Sequence, residues 1–292
     1  MADFGAWLLA MTSPNGFVCW FIRTAHMNDA AAIVNSFPFA VRYYWNYQYR
    51  LGREHIVPYL RKRGIDLRGM NVLEIGAGEG GVLAAFAEEA VARAIGFDIR
   101  EVVVRNANEI ATKIRNQAHF FQHNMYDDHI PQEWVHSFDL ILMRDVIEHL
   151  DDTQRNIRRL LAFAHPGSRI FITFPPYYSA FGPHQHTLKN LSGKIPFLGL
   201  LPDSLFGRLI SSGREADRVE VSRLRHIRLT IRRFKRAVRA SGLDILDERL
   251  FVLRPVFKIK FGAPIIGSGP LKYVPLLREF LTTEASYLLG VK

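Results

Sequence analysis

The chain has 292 residues, 48% hydrophobic and 23% charged, which is enough to bury one large core with additions rather than to build two independent domains. Its single cysteine, Cys19, excludes an intrachain disulfide framework and cysteine-rich zinc sites, and fits a reducing cytoplasm. The net charge of +10 is concentrated: between Leu205 and Ala240 stand eleven Lys/Arg against three Asp/Glu. Such a run reads as a solvated face, or as contact with an anionic lipid surface or substrate.

Residues 1–26 hold two short apolar bursts, Phe4 to Met11 and Phe17 to Ile22, split by Pro14-Asn15-Gly16. Neither can span a bilayer, and with Asp3 near the start the segment lacks the basic region of a secretory signal. It is expected to be an apolar N-terminal tail, loose or touching a membrane, with Met27 itself a sensible start. Residues 27–68 are expected to form a helical cap, since Phe39, Tyr43, Tyr47 and Leu51, then Ile56, Tyr59 and Leu60, recur at helical spacing.

From residue 69 onward strands and helices alternate. Strands are expected at about 71–75, 93–98, 118–122, 138–143 and 169–174, with helices at about 80–90, 101–115 and 153–164. An apolar insertion at 184–225, containing Ile195-Pro196-Phe197-Leu198 and Leu205-Phe206, interrupts the rhythm where a substrate lid would sit. A helix follows at about 231–241, with Thr230 as N-cap and Gly242 as its stop; Ile231, Phe234 and Val238 trace its inner face and Arg232, Arg233, Lys235, Arg236 and Arg239 its outer one. Strands at about 244–252 and 284–291 close the chain. The expected fold is α/β: a doubly wound, Rossmann-like, mostly parallel sheet of seven strands with helices on both faces and an antiparallel last strand.

The chemistry begins at Val72-Leu73-Glu74-Ile75-Gly76-Ala77-Gly78-Glu79-Gly80-Gly81, an apolar strand running into a glycine loop and a helix N-terminus. Glycines at 76 and 78 permit positive φ and close approach of the backbone to a ligand. Nicotinamide, flavin and S-adenosylmethionine sites share this loop. Glu74 separates them, because a carboxylate beside the loop repels a pyrophosphate but attracts a sulfonium and an ammonium. The second strand ends in Asp98-Ile99 about twenty residues on, where ribose hydroxyls are held. The fourth is Phe138-Asp139-Leu140-Ile141-Leu142-Met143, leading into Arg144-Asp145-Val146-Ile147-Glu148-His149-Leu150.

In these three segments the chain resembles the class I S-adenosylmethionine-dependent methyltransferases. The resemblance covers roughly 70–175 and 225–292. It implies S-adenosylmethionine as cofactor, with Glu74, Gly76, Ala77, Gly78, Asp98 and Ile99 at its methionine and ribose ends. Asn124, standing where the family usually has an acid, and Met125 would meet the adenine, while Arg144 and Asp145 face the cofactor. Asp145-x-x-Glu148-His149 also resembles the acid-x-x-Glu-His site by which ubiquinone-pathway O-methyltransferases and small-RNA 2′-O-methyltransferases hold a divalent metal. The same Glu-His also caps or packs the next turn in relatives without metal, and no metal is assigned from the sequence.

Methyl transfer to an alcohol or phenol needs a proton acceptor behind the methyl. His184 and His186, after the fifth strand, are the expected catalytic bases, and Tyr177 and Tyr178 the expected pocket wall. The expected activity is O-methylation of a fairly lipophilic small molecule. The alternatives are an RNA methyltransferase, disfavoured because no aromatics interleave the arginines, and a non-catalytic cofactor-binding partner protein. Localisation is expected to be cytoplasmic, with possible peripheral contact with an anionic membrane.

Overall fold

A computed structural model describes residues 32–188 and 190–292; the expected tail 1–26, with Cys19, lies outside the described residues. The strands are β1 (Asn71–Ile75), β2 (Arg93–Asp98), β3 (Ala118–Gln122), β4 (Phe138–Arg144), β5 (Ala164–Phe174), β6 (Asp244–Leu253), β7 (Ile266–Gly267) and β8 (Glu284–Gly290). They form one sheet in the order β3-β2-β1-β4-β5-β8-β6-β7. The first five pair in parallel, and β8 runs antiparallel between β5 and β6.

All seven expected strands form, and the sheet has an eighth. The added β7 pairs with β6 through Phe251–Gly267 and Leu253–Ile266 at the sheet edge. Two residues are too few to show the alternation that betrays a strand in sequence. β5 starts at Ala164 rather than at 169, with a register shift between Phe138 and Leu140 that admits Pro166 and Gly167 into the strand. The preceding helix is shortened accordingly.

The helices are α1 (Phe39–Leu51), continued through a π-helical turn Gly52–Ile56 into α2 (Val57–Lys62), then α3 (Gly81–Ala87), α4 (Glu101–Lys113), α5 (Thr153–Leu160), α6 (Asp203–Ile210), α7 (Glu215–Ile227), α8 (Ile231–Ala240), α9 (Pro255–Phe261) and α10 (Pro275–Leu281). Both faces of the sheet are covered. Leu73, Ile141 and Met143 pack on Ile157, Leu160 and Phe234, whereas Val72, Leu140 and Leu142 pack with Leu83 and Phe86. Burial on both sides explains why β4 reads as a continuous apolar run.

α8 illustrates how the pattern becomes structure. Thr230 accepts from the Arg233 N–H at 3.1 Å, Ile231, Phe234 and Val238 are buried, and Arg232, Arg233, Arg236 and Arg239 are exposed. Lys235 departs from the expected outer face: it is half-buried, with its ammonium 3.0 Å from Glu248 on β6. The insertion at 184–225 folds as three 3-10 turns followed by α6 and most of α7, around Leu188, Leu198, Phe206, Ile210 and Val221. Among the described residues no helix is long and apolar enough to cross a membrane.

Candidate active site

A cleft of about 790 Å³ opens at the carboxyl edge of the parallel strands, under α1 and beside α7. This is where open α/β sheets bind ligands, because strand ends and helix N-termini converge there. Gly76 shapes its floor. Its φ is +71°, and a Cβ there would lie 2.3 Å from Val146 Cγ2, so the loop after β1 and the turn after β4 touch only because residue 76 has no side chain. Gly81 does the same for the roof: a Cβ would stand 2.4 Å from the Trp45 carbonyl, so α1 crosses α3 in direct backbone contact. That crossing brings Tyr44, Tyr47 and Gln48 to the cleft wall.

The expected cofactor residues divide into two groups. Gly76, Gly78, Asp98, Ile99, Asn124, Met125, Arg144 and Asp145 line the cleft, whereas Glu74 and Ala77 lie outside its lining. Asp98 organises the loop: Oδ2 accepts from the Gly78 N–H at 3.1 Å and Oδ1 from the Arg100 N–H at 3.0 Å. Glu74 is buried, and Oε2 accepts from the Leu83 N–H at 3.0 Å, inside the first turn of α3. Burial pushes its carboxyl up to about 8, against the pull of Arg144 and the Leu83 N–H. Asn124 Oδ1 accepts from the Tyr126 N–H at 3.0 Å, closing an Asx turn.

The turn after β4 is pinned at both ends. Asp145 has φ +52° and donates its N–H to the Thr173 carbonyl at 2.9 Å, while Ile147 is fully buried beneath the 3-10 turn Ile147–His149. Asp145 Oδ2 accepts from Arg254 Nη2 at 2.6 Å, with Arg144 Nη2 at 3.6 Å. Burial alone would raise the Asp145 carboxyl, but Arg254 and then Arg144 overcome it and hold the group below its ordinary value. Arg254 Nε also lies 2.9 Å from Glu284 Oε2 at the start of β8.

Glu148 and His149 meet His184, which arrives from the far end of β5. His184 takes a left-handed backbone, φ +57°, and donates its N–H to the Phe181 carbonyl at 3.0 Å. His184 Nε2 and His149 Nε2 each stand 3.8 Å from Glu148 Oε1, and the two imidazoles are 5.0 Å apart in an edge contact. Glu148 is buried, and neither of its oxygens has a hydrogen-bond partner. Burial pushes its carboxyl up to about 8 and pushes the His184 imidazole down to about 3. His149 instead is raised: burial lowers it, but the hydrogen bond of its Nδ1 to Glu220 on α7 and the nearby Glu148 outweigh that.

His186 stays apart. It is exposed, its ring 5.7 Å from His184 and 6.2 Å from Phe181; of this group His149 lines the cleft, but Glu148, His184 and His186 do not. Nor do Tyr177 and Tyr178; Tyr177 is buried, its hydroxyl 3.3 Å from Arg225 on α7. Reading the sequence missed Arg254, Glu220 and Lys260. Lys260 on α9 places its ammonium 3.8 Å from the Tyr47 ring centroid, and burial and Arg254 pull its pKa down to about 8. All three lie far along the chain from the motifs they support, and no local pattern marks them.

Residues 44–248 match the model of a family described as a methyltransferase domain. Over 134 residues, 44% of this chain, the sequence is 27% identical to a ubiquinone biosynthesis O-methyltransferase of Coxiella burnetii, and the match spans 56% of that protein's length. Two solved structures share the fold. An S-adenosylmethionine dependent methyltransferase from Mesorhizobium loti aligns with a TM-score of 0.51 and 15% identity, covering 80% of this chain and 96% of that one. Magnesium protoporphyrin IX methyltransferase from Synechocystis PCC 6803, with bound S-adenosylhomocysteine, aligns with a TM-score of 0.51 and 16% identity, covering 88% and 89%.

Proposed function

We propose, for a chain that belongs to the methyltransferase-domain family and is a class I S-adenosylmethionine-dependent methyltransferase, that the acceptor atom is a hydroxyl oxygen of a fairly lipophilic small molecule. One observation carries this reading: Glu148, His149 and His184 converge beside the cleft with both Glu148 oxygens buried and unpartnered. A buried orphan carboxylate between two imidazoles is costly unless it serves a ligand or a proton. The likeness to a ubiquinone biosynthesis O-methyltransferase over part of the chain supports the same acceptor atom.

Asp98 would hold the donor's ribose, Ile99 and Met125 its adenine, and Gly76, Gly78 and Arg144 its methionine end. Glu74 acts through α3, whose first turn it caps, rather than by touching the sulfonium. The acceptor oxygen attacks the methyl carbon in line as the carbon–sulfur bond breaks; S-adenosylhomocysteine leaves, and the hydroxyl proton must be taken up. Glu148, the cluster's carboxylate, takes it when ionised. His184 is too weak a base for that task, because a proton acceptor held near 3 has little driving force at neutral pH.

The cluster also fits a divalent cation. Its three donor atoms lie within 4.8 Å of one another, and the Glu220 carboxylate on His149 Nδ1 orients the other nitrogen toward Glu148. Glu148, His149 and His184 would hold the ion, which when bound polarises a coordinated hydroxyl and lowers its pKa.

The test is turnover with S-adenosylmethionine against long-chain catechols and phenols, matching amines, and RNA, read by mass spectrometry. A methyl gained on a phenolic oxygen supports the proposal. Methylation of RNA or amines in preference to every phenol overturns it.

A further inference from the structure

We propose that the run Tyr273-Val274-Pro275-Leu276-Leu277, which opens α10, is a docking edge that enters the surface of an anionic lipid bilayer. The proposal goes beyond the acceptor reading above and does not depend on which atom is methylated.

All five residues of the run are exposed, Tyr273 at 75% and Leu276 at 69%. A surface helix ordinarily turns an apolar stripe to the core and polar residues to water. α10 has no buried residue, although four of its seven residues are Leu or Phe. It is nevertheless anchored from behind. Phe280 meets Tyr178 edge-on with ring centroids 6.3 Å apart, and Glu279 accepts from the Ile231 and Arg232 N–H groups at 3.0 Å each, capping α8. Consecutive apolar side chains held outward on an anchored element mark an interaction surface.

Charge identifies the occupant. Lys272 and Arg278 bracket the run, and between Arg254 and Thr283 stand five Lys/Arg against one Asp/Glu, which is the capping Glu279. The Lys272 ammonium lies 5.0 Å from the Tyr273 ring centroid. Through the Glu279 cap the run adjoins α8, whose Arg232, Arg233, Arg236 and Arg239 are exposed. A second copy of this chain docking there about a two-fold axis would bring the same cationic rim against itself and be repelled. An anionic bilayer attracts that rim, while the aliphatic side chains enter the boundary between headgroups and acyl chains and Tyr273 sits at headgroup level.

The place of α10 in the fold gives the surface a use. β8 runs antiparallel to β5 with Ala285 opposite Phe174, so the residues just before β8 stand at the carboxyl edge of the parallel strands, where the cleft opens. Tyr178, which Phe280 touches, belongs to the loop that carries His184. Docking through the run would bring this edge to the lipid, and a lipophilic acceptor would then reach the cleft without crossing bulk water; that consequence alone rests on the acceptor reading.

Co-sedimentation of the full chain with vesicles of phosphatidylcholine, with and without phosphatidylglycerol, tests the proposal without reference to turnover. The wild type should bind the anionic vesicles at least about tenfold more tightly than the neutral ones, and less tightly as salt rises. The combined substitution Tyr273→Ser, Leu276→Ser and Leu277→Ser should weaken that binding by about tenfold or more, with the thermal melt and S-adenosylhomocysteine binding unchanged because all three side chains are exposed. Lys272→Gln with Arg278→Gln should weaken it by about tenfold and flatten its salt dependence. Binding of the triple variant within about twofold of the wild type, equal binding of the wild type to neutral vesicles, or no binding at all overturns the inference. So does a wild-type dimer in sedimentation velocity that the triple variant dissociates, which would assign the run to a second copy.

Discussion

Replacing Asp98 perturbs the cofactor loop at the point where two backbone segments hang from one side chain. Its two oxygens accept from the Gly78 and Arg100 N–H groups at 3.1 and 3.0 Å, and the carboxylate is 9% exposed. Hydrogen bonds to a charged acceptor contribute about 1.5–3 kcal/mol each, and the cleft admits water that softens the loss, so Asp98→Ala should cost about 2 kcal/mol of stability. The same substitution removes the acceptor we propose for the ribose hydroxyls and should weaken S-adenosylhomocysteine binding by about 1–3 kcal/mol, a factor of roughly 5 to 150. Asp98→Asn keeps one acceptor oxygen and should fall about halfway between. Its ion pair with Arg100 adds little, because that guanidinium is 60% exposed. Calorimetry with S-adenosylhomocysteine and thermal melts of the three proteins give the numbers. Wild-type cofactor affinity in Asp98→Ala, within twofold, would refute the reasoning, and NAD binding more tightly than S-adenosylmethionine would refute the assignment of the cleft.

Glu74→Gln keeps an acceptor for Leu83 and removes a buried ionisable group. Because the folded carboxyl is raised from 4.5 to about 8, the wild type is favoured by its bound proton below about 4.5 and loses that advantage as pH climbs to about 8, so the mutant should gain stability over the wild type across that window, as melts at pH 5 and 8 would register. A pH-independent difference between the two proteins counts against the burial argument. Glu148→Gln, which removes the proton acceptor, should lower turnover by about 10²–10⁴-fold with cofactor affinity nearly unchanged, and His186→Ala should stay within a few-fold of wild type, since His149 and His184, not His186, stand beside Glu148. The reverse ranking would move the chemistry to the exposed histidine. Changing Arg232, Arg233, Arg236 and Arg239 together to Ser should leave stability within about 0.5 kcal/mol per site, because all four are exposed. Salt-sensitive binding of the wild type to anionic vesicles, weakened in this variant by about 1 kcal/mol per lost charge, would assign the face to a membrane; equal or absent binding to anionic and neutral vesicles would assign it to solubility.

The α/β architecture was legible because β1, β2 and β4 are buried on both faces and so are written as apolar runs between helical periods, while β3 at the sheet edge is buried only at alternate residues. β7 was not, being two residues held by pairing with β6. That Asp98, Gly76 and Gly78 would share one cleft was legible because a tight turn and close approach restrict which residues fit. Glu74 was expected at the methionine end, attracting a sulfonium and an ammonium, whereas here its carboxylate accepts from the Leu83 N–H in the first turn of α3 and lies outside the cleft lining; a charge adjacent in sequence to a loop says nothing about which side of the strand it occupies. The cluster of Glu148, His149 and His184 was half legible. Glu148 and His149 are neighbours in sequence, but His184 reaches them from the loop after β5, and a contact 36 positions apart in the chain leaves no local trace.

A crystal structure with S-adenosylhomocysteine and a phenolic acceptor analogue tests the central claim most directly. The ribose hydroxyls are expected on Asp98, the sulfur above Gly76, and the acceptor oxygen between the sulfur and the Glu148, His149 and His184 cluster. A cofactor bound with its sulfur facing away from that cluster, or an acceptor oxygen reaching the sulfur from the opposite side of the cleft, would contradict it.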